Sequence, residues 1–316
     1  MAAELILNAD ASHEEWLRVR NTGLGGSDAG AIMGLNPYKS AITLWAEKTG
    51  RQEPDDLSSN EAVYWGTVLE APVARRWAED TGKHIRRRGT LRDTEYPWML
   101  ANVDRWVIGE NAGLEIKTAN AWASGKWADD EIPDSYYAQC LHYMAVTGAE
   151  RWYIAALIGG QQFLWKEIPR IEEDIDALRL AEKAFWDHVR SGTMPEEIDG
   201  SESTARTLSA LYRNGTADTL ELPEEAWELI RKYDELQREK KDIEASTQEI
   251  KNNLMAMMGE AETATCGGRK ITWKAGKPRE TVSLADIRKK DPASYAALKS
   301  VGLIKTSAVS RTFRIW

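Results

Sequence analysis

The chain has 316 residues, 42% hydrophobic and 29% charged, with a formal net charge of −9. That describes a soluble globular protein longer than one ordinary domain, and no apolar run approaches the roughly 20 residues a bilayer span requires. The cysteines, Cys140 and Cys266, are far apart and the four histidines have no metal-ligand spacing, which excludes a disulfide framework, an iron–sulfur cluster and a zinc site. The negative balance argues against coating DNA by bulk electrostatics, but not against a nuclease whose metal and channel supply local positive charge. Met1-Ala2-Ala3-Glu4 lacks the basic region and apolar core of a signal peptide, so a cytoplasmic location is expected.

In chain order, His13–Arg20 reads as a short helix capped by Ser12. The glycine-rich turn Gly23-Leu24-Gly25-Gly26-Ser27-Asp28 then starts a helix. Such a turn is usually only a cap, but with Arg20 upstream it also suits a phosphate. A helix carrying Ile42, Leu44 and Trp45 ends at Gly50. The next starts near Asn60 with Val63, Tyr64, Val68 and Leu69 at helical spacing, and Pro72 should kink or restart it. Glu70 on this helix is either an ordinary exposed glutamate or a ligand for metal or water. Lys83 and Arg86-Arg87-Arg88 form a basic run, usually a solvated strand end and alternatively a strip that tracks phosphates. Residues 83–99 read as a strand. An amphipathic helix follows Pro133 to Gly148, a hairpin spans Arg151–Ile168 around Gly159-Gly160, and a helix covers about 172–190.

The class is α/β with a mixed central sheet. Domain boundaries are placed at 1–192, a polar linker over 193–222, and 223–316. The last part opens with a long helix, Pro223–Met258. Its heptad seam runs through Leu229, Tyr233, Leu236, Lys240, Ile243, Thr247, Ile250, Leu254 and Met257. Lys240 and Thr247 weaken the seam, so a helical hairpin or packed arm suits it as well as a coiled coil. A hairpin over 262–274, a helix over Ser283–Leu298 and a strand over Thr306–Ile315 complete a small α+β element with a basic, nucleic-acid-compatible face.

The stretch Leu100–Lys117 organises the chain. Two runs rich in Val, Ile and Trp flank Gly109-Glu110-Asn111-Ala112-Gly113, the pattern of a hairpin. A turn near Asn111 pairs positions summing to about 220, which sets Asp104 opposite Glu115 and Lys117, themselves on one strand face. Carboxylate oxygens so placed suit a hard divalent cation such as Mg²⁺, and the ammonium suits a phosphate or a metal-bound water. A surface charge ladder is the competing reading of the triad alone.

Together these pieces resemble the YqaJ-type viral recombinase family, which includes the alkaline exonuclease of phage lambda, within the PD-(D/E)xK nucleases. The resemblance covers roughly residues 12–190. Arg20 with Gly25-Gly26-Ser27-Asp28 resembles the opening motif whose arginine and serine bind a DNA 5′-phosphate. Gly66–Glu70 resembles the helix glutamate motif beside the metals, Asp104 with Glu115-Ile116-Lys117 the nuclease core, and Gln139 the helix glutamine that touches the site. Val103 replaces a frequent proline. Asn102 stands where a lambda-type enzyme has a phosphate-contacting serine, and Lys126 is the nearest basic residue for an arginine that follows the lysine strand.

The resemblance implies a restriction-endonuclease-like core and a Mg²⁺-dependent 5′→3′ exonuclease on linear duplex DNA, with Mn²⁺ as a substitute and two ions per site. Asp104, Glu115, the Ile116 carbonyl and Glu70 would be the metal ligands, with Lys117 and Gln139 ordering the attacking water. Arg20, Ser27, Asn102 and Lys126 would contact DNA phosphates. DNA ends, a single-strand annealing protein and a ring-shaped homotrimer are the implied partners, and no membrane is. An endonuclease or nickase of the same fold is the first alternative. A non-catalytic DNA-binding module is the second, and its mark would be loss of a core carboxylate or the lysine.

Overall fold

A short strand, β1 (Glu4–Leu7), precedes helix α1 (His13–Arg20); the computed structural model describes residues 3–278, 281–305 and 313–315. Ser12 and Glu15 form a reciprocal capping box, with Ser12 Oγ accepting from the Glu15 amide and Glu15 Oε2 from the Ser12 amide. Then come β2 (Leu24–Gly25), α2 (Gly26–Ile32), α3 (Ala41–Lys48) and α4 (Glu61–Thr81). Helix α4 runs unbroken through Pro72, where a kink was expected. Asn60 caps its start, and its far half is anchored by buried Val73, Ala74 and Trp77. Val63, Tyr64, Trp65 and Val68 on the near half are exposed, so helical spacing there does not mark a core face.

The region expected as one strand over residues 83–99 is broken into β3 (Ile85–Arg86), β4 (Thr90–Arg92) and the start of β5 (Met99–Asn102). Strands β6 (Arg105–Val107) and β7 (Ala112–Ala119) follow. Leu100–Ile108 is therefore two strands rather than one, and they belong to different sheets. The first sheet has the order β1-β4-β5-β2. The second is completed by β8 (Arg151–Ile158) and β9 (Gln162–Pro169) in the order β3-β6-β7-β8-β9. Val103 and Asp104 span the passage between the sheets. The second sheet is mixed, with β7 and β8 parallel along their length and its other pairs antiparallel. Gly159 and Gly160 turn the β8–β9 hairpin at φ values of 60° and 72°, in a three-residue loop that closes with the Ile158–Gln162 pair.

A 3₁₀ turn, Ala121–Trp127, and then α5 (Asp134–Thr147) follow. Helix α5 is buried from Ala138 through Val146 on every face, not amphipathic, because it contacts α2, β4, β5 and β8 as well as α6 (Glu172–Ser191). Around it Trp152, Met144, Ile154 and Leu91 form one core. Trp77 and Tyr153 anchor a second core, where α4 covers the other face of the sheet. Burial of each such ring contributes on the order of 2–3 kcal/mol.

Compact units divide at Tyr212, the first being Met1–Tyr212 and the second Arg213–Trp316. Helix α7 (Glu202–Leu211) lies where a linker was placed, yet it docks on α3 through a buried hydroxyl cluster. Thr43 Oγ1 lies 2.7 Å from Ser203 Oγ and 2.8 Å from Thr207 Oγ1. The second unit contains α8 (Glu225–Met258), the hairpin β10 (Thr263–Cys266) and β11 (Arg269–Thr272), then α9 (Leu284–Lys290) and α10 (Pro292–Ser300). The single helix expected over 283–298 is thus split at Asp291, which caps α10. Along α8 the seam residues Leu229, Leu236, Ile243, Ile250 and Met257 are exposed. The strand expected over Thr306–Ile315 falls largely outside the described residues. No helix among the described residues is long and apolar enough to cross a membrane.

Candidate active site

Strand β6 pairs with β7 through Arg105↔Leu114 and Trp106↔Gly113. This register carries Asp104 to Glu115 as the hairpin pattern requires. Asp104 Oδ2 accepts a hydrogen bond from the Ile116 amide at 2.9 Å. Glu115 and Lys117 share a face, with Lys117 Nζ 2.5 Å from Glu115 Oε1. Helix α5 brings Gln139 over the pair. Its amide nitrogen donates to Glu115 Oε1 at 2.7 Å and its oxygen accepts from Lys117 Nζ at 2.9 Å. The ring of Tyr136 lies 4.7 Å from Lys117 Nζ, and the Tyr143 hydroxyl accepts from Gln139 at 2.9 Å. The four residues Asp104, Glu115, Lys117 and Gln139 therefore meet.

The electrostatics are unbalanced. Burial raises the pKa of Asp104 well above its ordinary value, and the charges of Glu115 and Glu70 push it further. Burial likewise raises Glu115, with Lys117 and Gln139 opposing. Burial disfavours the Lys117 ammonium, but Glu115 and Asp104 outweigh it, so its pKa is raised and it is a cation at any ordinary pH. Glu115 Oε2 is buried without a hydrogen-bond partner. A buried, unpartnered carboxylate oxygen beside a second carboxylate whose charge is disfavoured is a donor set that fits a hard divalent cation.

Glu70 does not join them directly. Its Oε1 takes the Arg105 guanidinium at 2.6 Å, and Arg105 also donates to the Asp104 carbonyl at 2.6 Å. Among the described residues, accordingly, no three acidic, histidine or cysteine side chains converge as ready metal ligands. Arg105 was not foreseen as Glu70's partner, and nothing in its spacing signals the pairing, because α4 and β6 meet only in the fold.

Arg20 Nη2 donates to Ser27 Oγ at 3.1 Å and lies 3.8 Å from Asp28, and its guanidinium covers the Trp16 ring at 5.1 Å. Asp28 is buried. Burial works against its charge, but Lys48 (3.2 Å away) and Arg20 hold its carboxyl below the ordinary value. Lys48 is a second member of this cluster that the pattern did not reveal. Asn102 accepts from the Trp16 indole at 3.1 Å and the Thr90 hydroxyl at 2.7 Å, which leaves its amide nitrogen for a ligand. Lys126 lines the cleft of about 580 Å³ that also holds Ser27, Lys117 and Gln139.

A mixed sheet with carboxylates at its hairpin and a lysine two residues on is the core of the restriction-endonuclease-like fold. A solved alkaline exonuclease from Laribacter hongkongensis, LHK-Exo, shares it with a TM-score of 0.51 and 22% identity, over 57% of this chain and 94% of that one. LHK-Exo in complex with dAMP superposes with a TM-score of 0.50. Residues 15–150 match the model of the YqaJ-like viral recombinase domain. The uncharacterized protein YqaJ of Bacillus subtilis (strain 168) is 39% identical over 277 residues, 86% of each chain. The chain belongs to the YqaJ family.

Proposed function

We propose that this protein is a divalent-metal-dependent deoxyribonuclease that digests linear duplex DNA from its 5′ ends, leaving 3′ single strands for annealing in phage recombination. The observation that carries the reading is the partly buried Asp104–Glu115–Lys117–Gln139 network with its unpartnered Glu115 oxygen. Family membership and the fold shared with LHK-Exo support it. No core carboxylate or lysine is missing, which speaks against a non-catalytic module.

Asp104, Glu115 and the Ile116 carbonyl would hold Mg²⁺ (or Mn²⁺ in its place), with Glu70 near enough to add negative field. When bound, the cation supplies Lewis-acid polarisation of the phosphate and an acidified water. Lys117 acts as a positive charge and hydrogen-bond donor toward the attacked phosphate. Gln139 orders both Lys117 and Glu115 and so sets the register of these donors. Arg20, Ser27 and Asn102 present a guanidinium, a hydroxyl and an amide to a terminal 5′-phosphate, and Lys126 adds charge from across the cleft. A homo-oligomer and an annealing partner belong to the same reading, and the exposed seam of α8 offers an apolar surface for association.

The test compares digestion of linear 5′-phosphorylated, linear 5′-hydroxyl and closed circular duplexes, with Mg²⁺ or chelator. Rapid loss of the first alone, with Mg²⁺, is expected. Cutting of the circle would favour an endonuclease or nickase, and no digestion of any form would refute a nuclease.

A further inference from the structure

Beside Asp104 lies a second cleft, of about 380 Å³, lined by His13, Trp16, Glu70, Arg87, Arg88 and Asn102 among others. It shares no lining residue with the cleft that Lys117 lines. The two arginines are delivered to its rim by tight backbone packing. A Cβ on Gly89 would sit 1.8 Å from the Leu7 carbonyl oxygen, so only glycine lets the entry to β4 press against the end of β1. The β1–β4 register slips between Leu5 and Leu7 at this same point.

Arg88 is then laid over Trp106, 4.2 Å from the ring centroid. Three other cations of the site have carboxylate partners: Arg20 with Asp28, Arg105 with Glu70, Lys117 with Glu115. Among the described residues Arg87 and Arg88 have none. Burial, and then the nearby Arg86 charge, push the Arg88 pKa down, as befits a held cation without an anion. A guanidinium fixed in this state matches a phosphate's geometry and charge. The stacked rings of His13 and Trp16, 5.3 Å apart, add a flat surface of the kind on which a sugar or base rests.

We infer that Arg87 and Arg88 form a second phosphate subsite, which holds a backbone phosphodiester of the strand being cut next to the one at Asp104. This rests on the nuclease reading above. The test is the salt dependence of duplex binding in EDTA, where no cleavage occurs, followed by fluorescence anisotropy with a short end-labelled linear duplex. R87Q/R88Q should lower the slope of log K against log salt by about 1 to 2, one lost phosphate contact or two. Arg86→Gln should leave it unchanged, because Arg86 lines a separate cleft with Ile108 and Asn111.

As a measurement that needs no variant, single methylphosphonate replacements near the 5′ end should weaken wild-type binding at one or two positions. R87Q/R88Q should be insensitive to those same positions. Equal slopes for wild type and R87Q/R88Q, or methylphosphonate effects that persist undiminished in the variant, would overturn the subsite. If wild type digests DNA in Mg²⁺ while either of these holds, the subsite fails alone. If wild type neither binds nor digests DNA, the nuclease reading fails and takes the subsite with it.

Discussion

Asp104→Asn should slow hydrolysis severely and yet make the metal-free protein more stable. Asparagine keeps an oxygen for the Ile116 amide, which Asp104 holds at 2.9 Å, and removes one negative charge from the partly buried network. That charge is poorly compensated: burial first, then Glu115 and Glu70, raise the Asp104 pKa, with only Lys117 and the Ile116 amide opposing. Relief of such a charge is worth on the order of 1–3 kcal/mol. In a domain of this size that moves Tm upward by about 2–12 °C.

The sign of the pH dependence follows from the direction of the shift. A carboxyl with a raised folded-state pKa holds its proton in the folded protein after the unfolded chain has lost it. Wild-type stability therefore falls as pH rises from the ordinary aspartate value, about 3.9, through the raised one. The advantage of asparagine should be small near about pH 4 and larger at about pH 8, both read by calorimetry in EDTA. Saturating Mg²⁺ should shrink or reverse it, since the cation stabilises wild type by binding to the folded state alone. Turnover should drop on the order of 100-fold or more. An Asn variant less stable than wild type at both pH values in EDTA would refute the reasoning, because it would show that the fold itself satisfies the Asp104 charge.

Arg20→Ala should cut the preference for a 5′-phosphate over a 5′-hydroxyl end by about 10–100-fold, the worth of one charge-assisted contact; an unchanged ratio in single-turnover digestion would remove Arg20 from the end grip. Glu182→Ala should destabilise the first unit by about 3 kcal/mol in urea titrations, because it strands the fully buried His142 that Glu182 holds at 2.7 Å. Burial opposes the imidazolium, but Glu182 and the Leu100 carbonyl raise its pKa. The pair's contribution should therefore be full below about pH 6.5 and fade as pH passes the raised value; a loss that grows with pH would contradict this. Gly113→Ala should cost about 1–3 kcal/mol, since the new methyl would lie 2.3 Å from the Trp152 indole across β7–β8; a change within about 0.5 kcal/mol would show that the ring can move.

Much of the site was legible because it is local. Asp104, Glu115 and Lys117 lie within one hairpin whose register the Gly109–Gly113 turn sets, and strand alternation puts the last two on one face. The capping box at Ser12 and the hairpin at Gly159-Gly160 depend likewise on neighbours in sequence. Arg20 was read from its place just before the glycine-rich turn, whereas Gln139 was found by resemblance to a known motif, since no local rule ties a helix glutamine to a strand two elements earlier.

What the sequence determined alone was the local geometry that brings acid, acid and amine together, because turn residues, caps and side-chain alternation act over a few residues. The tertiary structure decided the rest. It split Leu100–Ile108 between two sheets at Asp104 and gave Glu70 to Arg105. It buried α5 on all faces and drew α7 out of the expected linker onto α3. Each of these depends on which distant surface a strand edge or helix face meets. Partners of that kind are chosen by packing over the whole unit, and no short-range pattern encodes them.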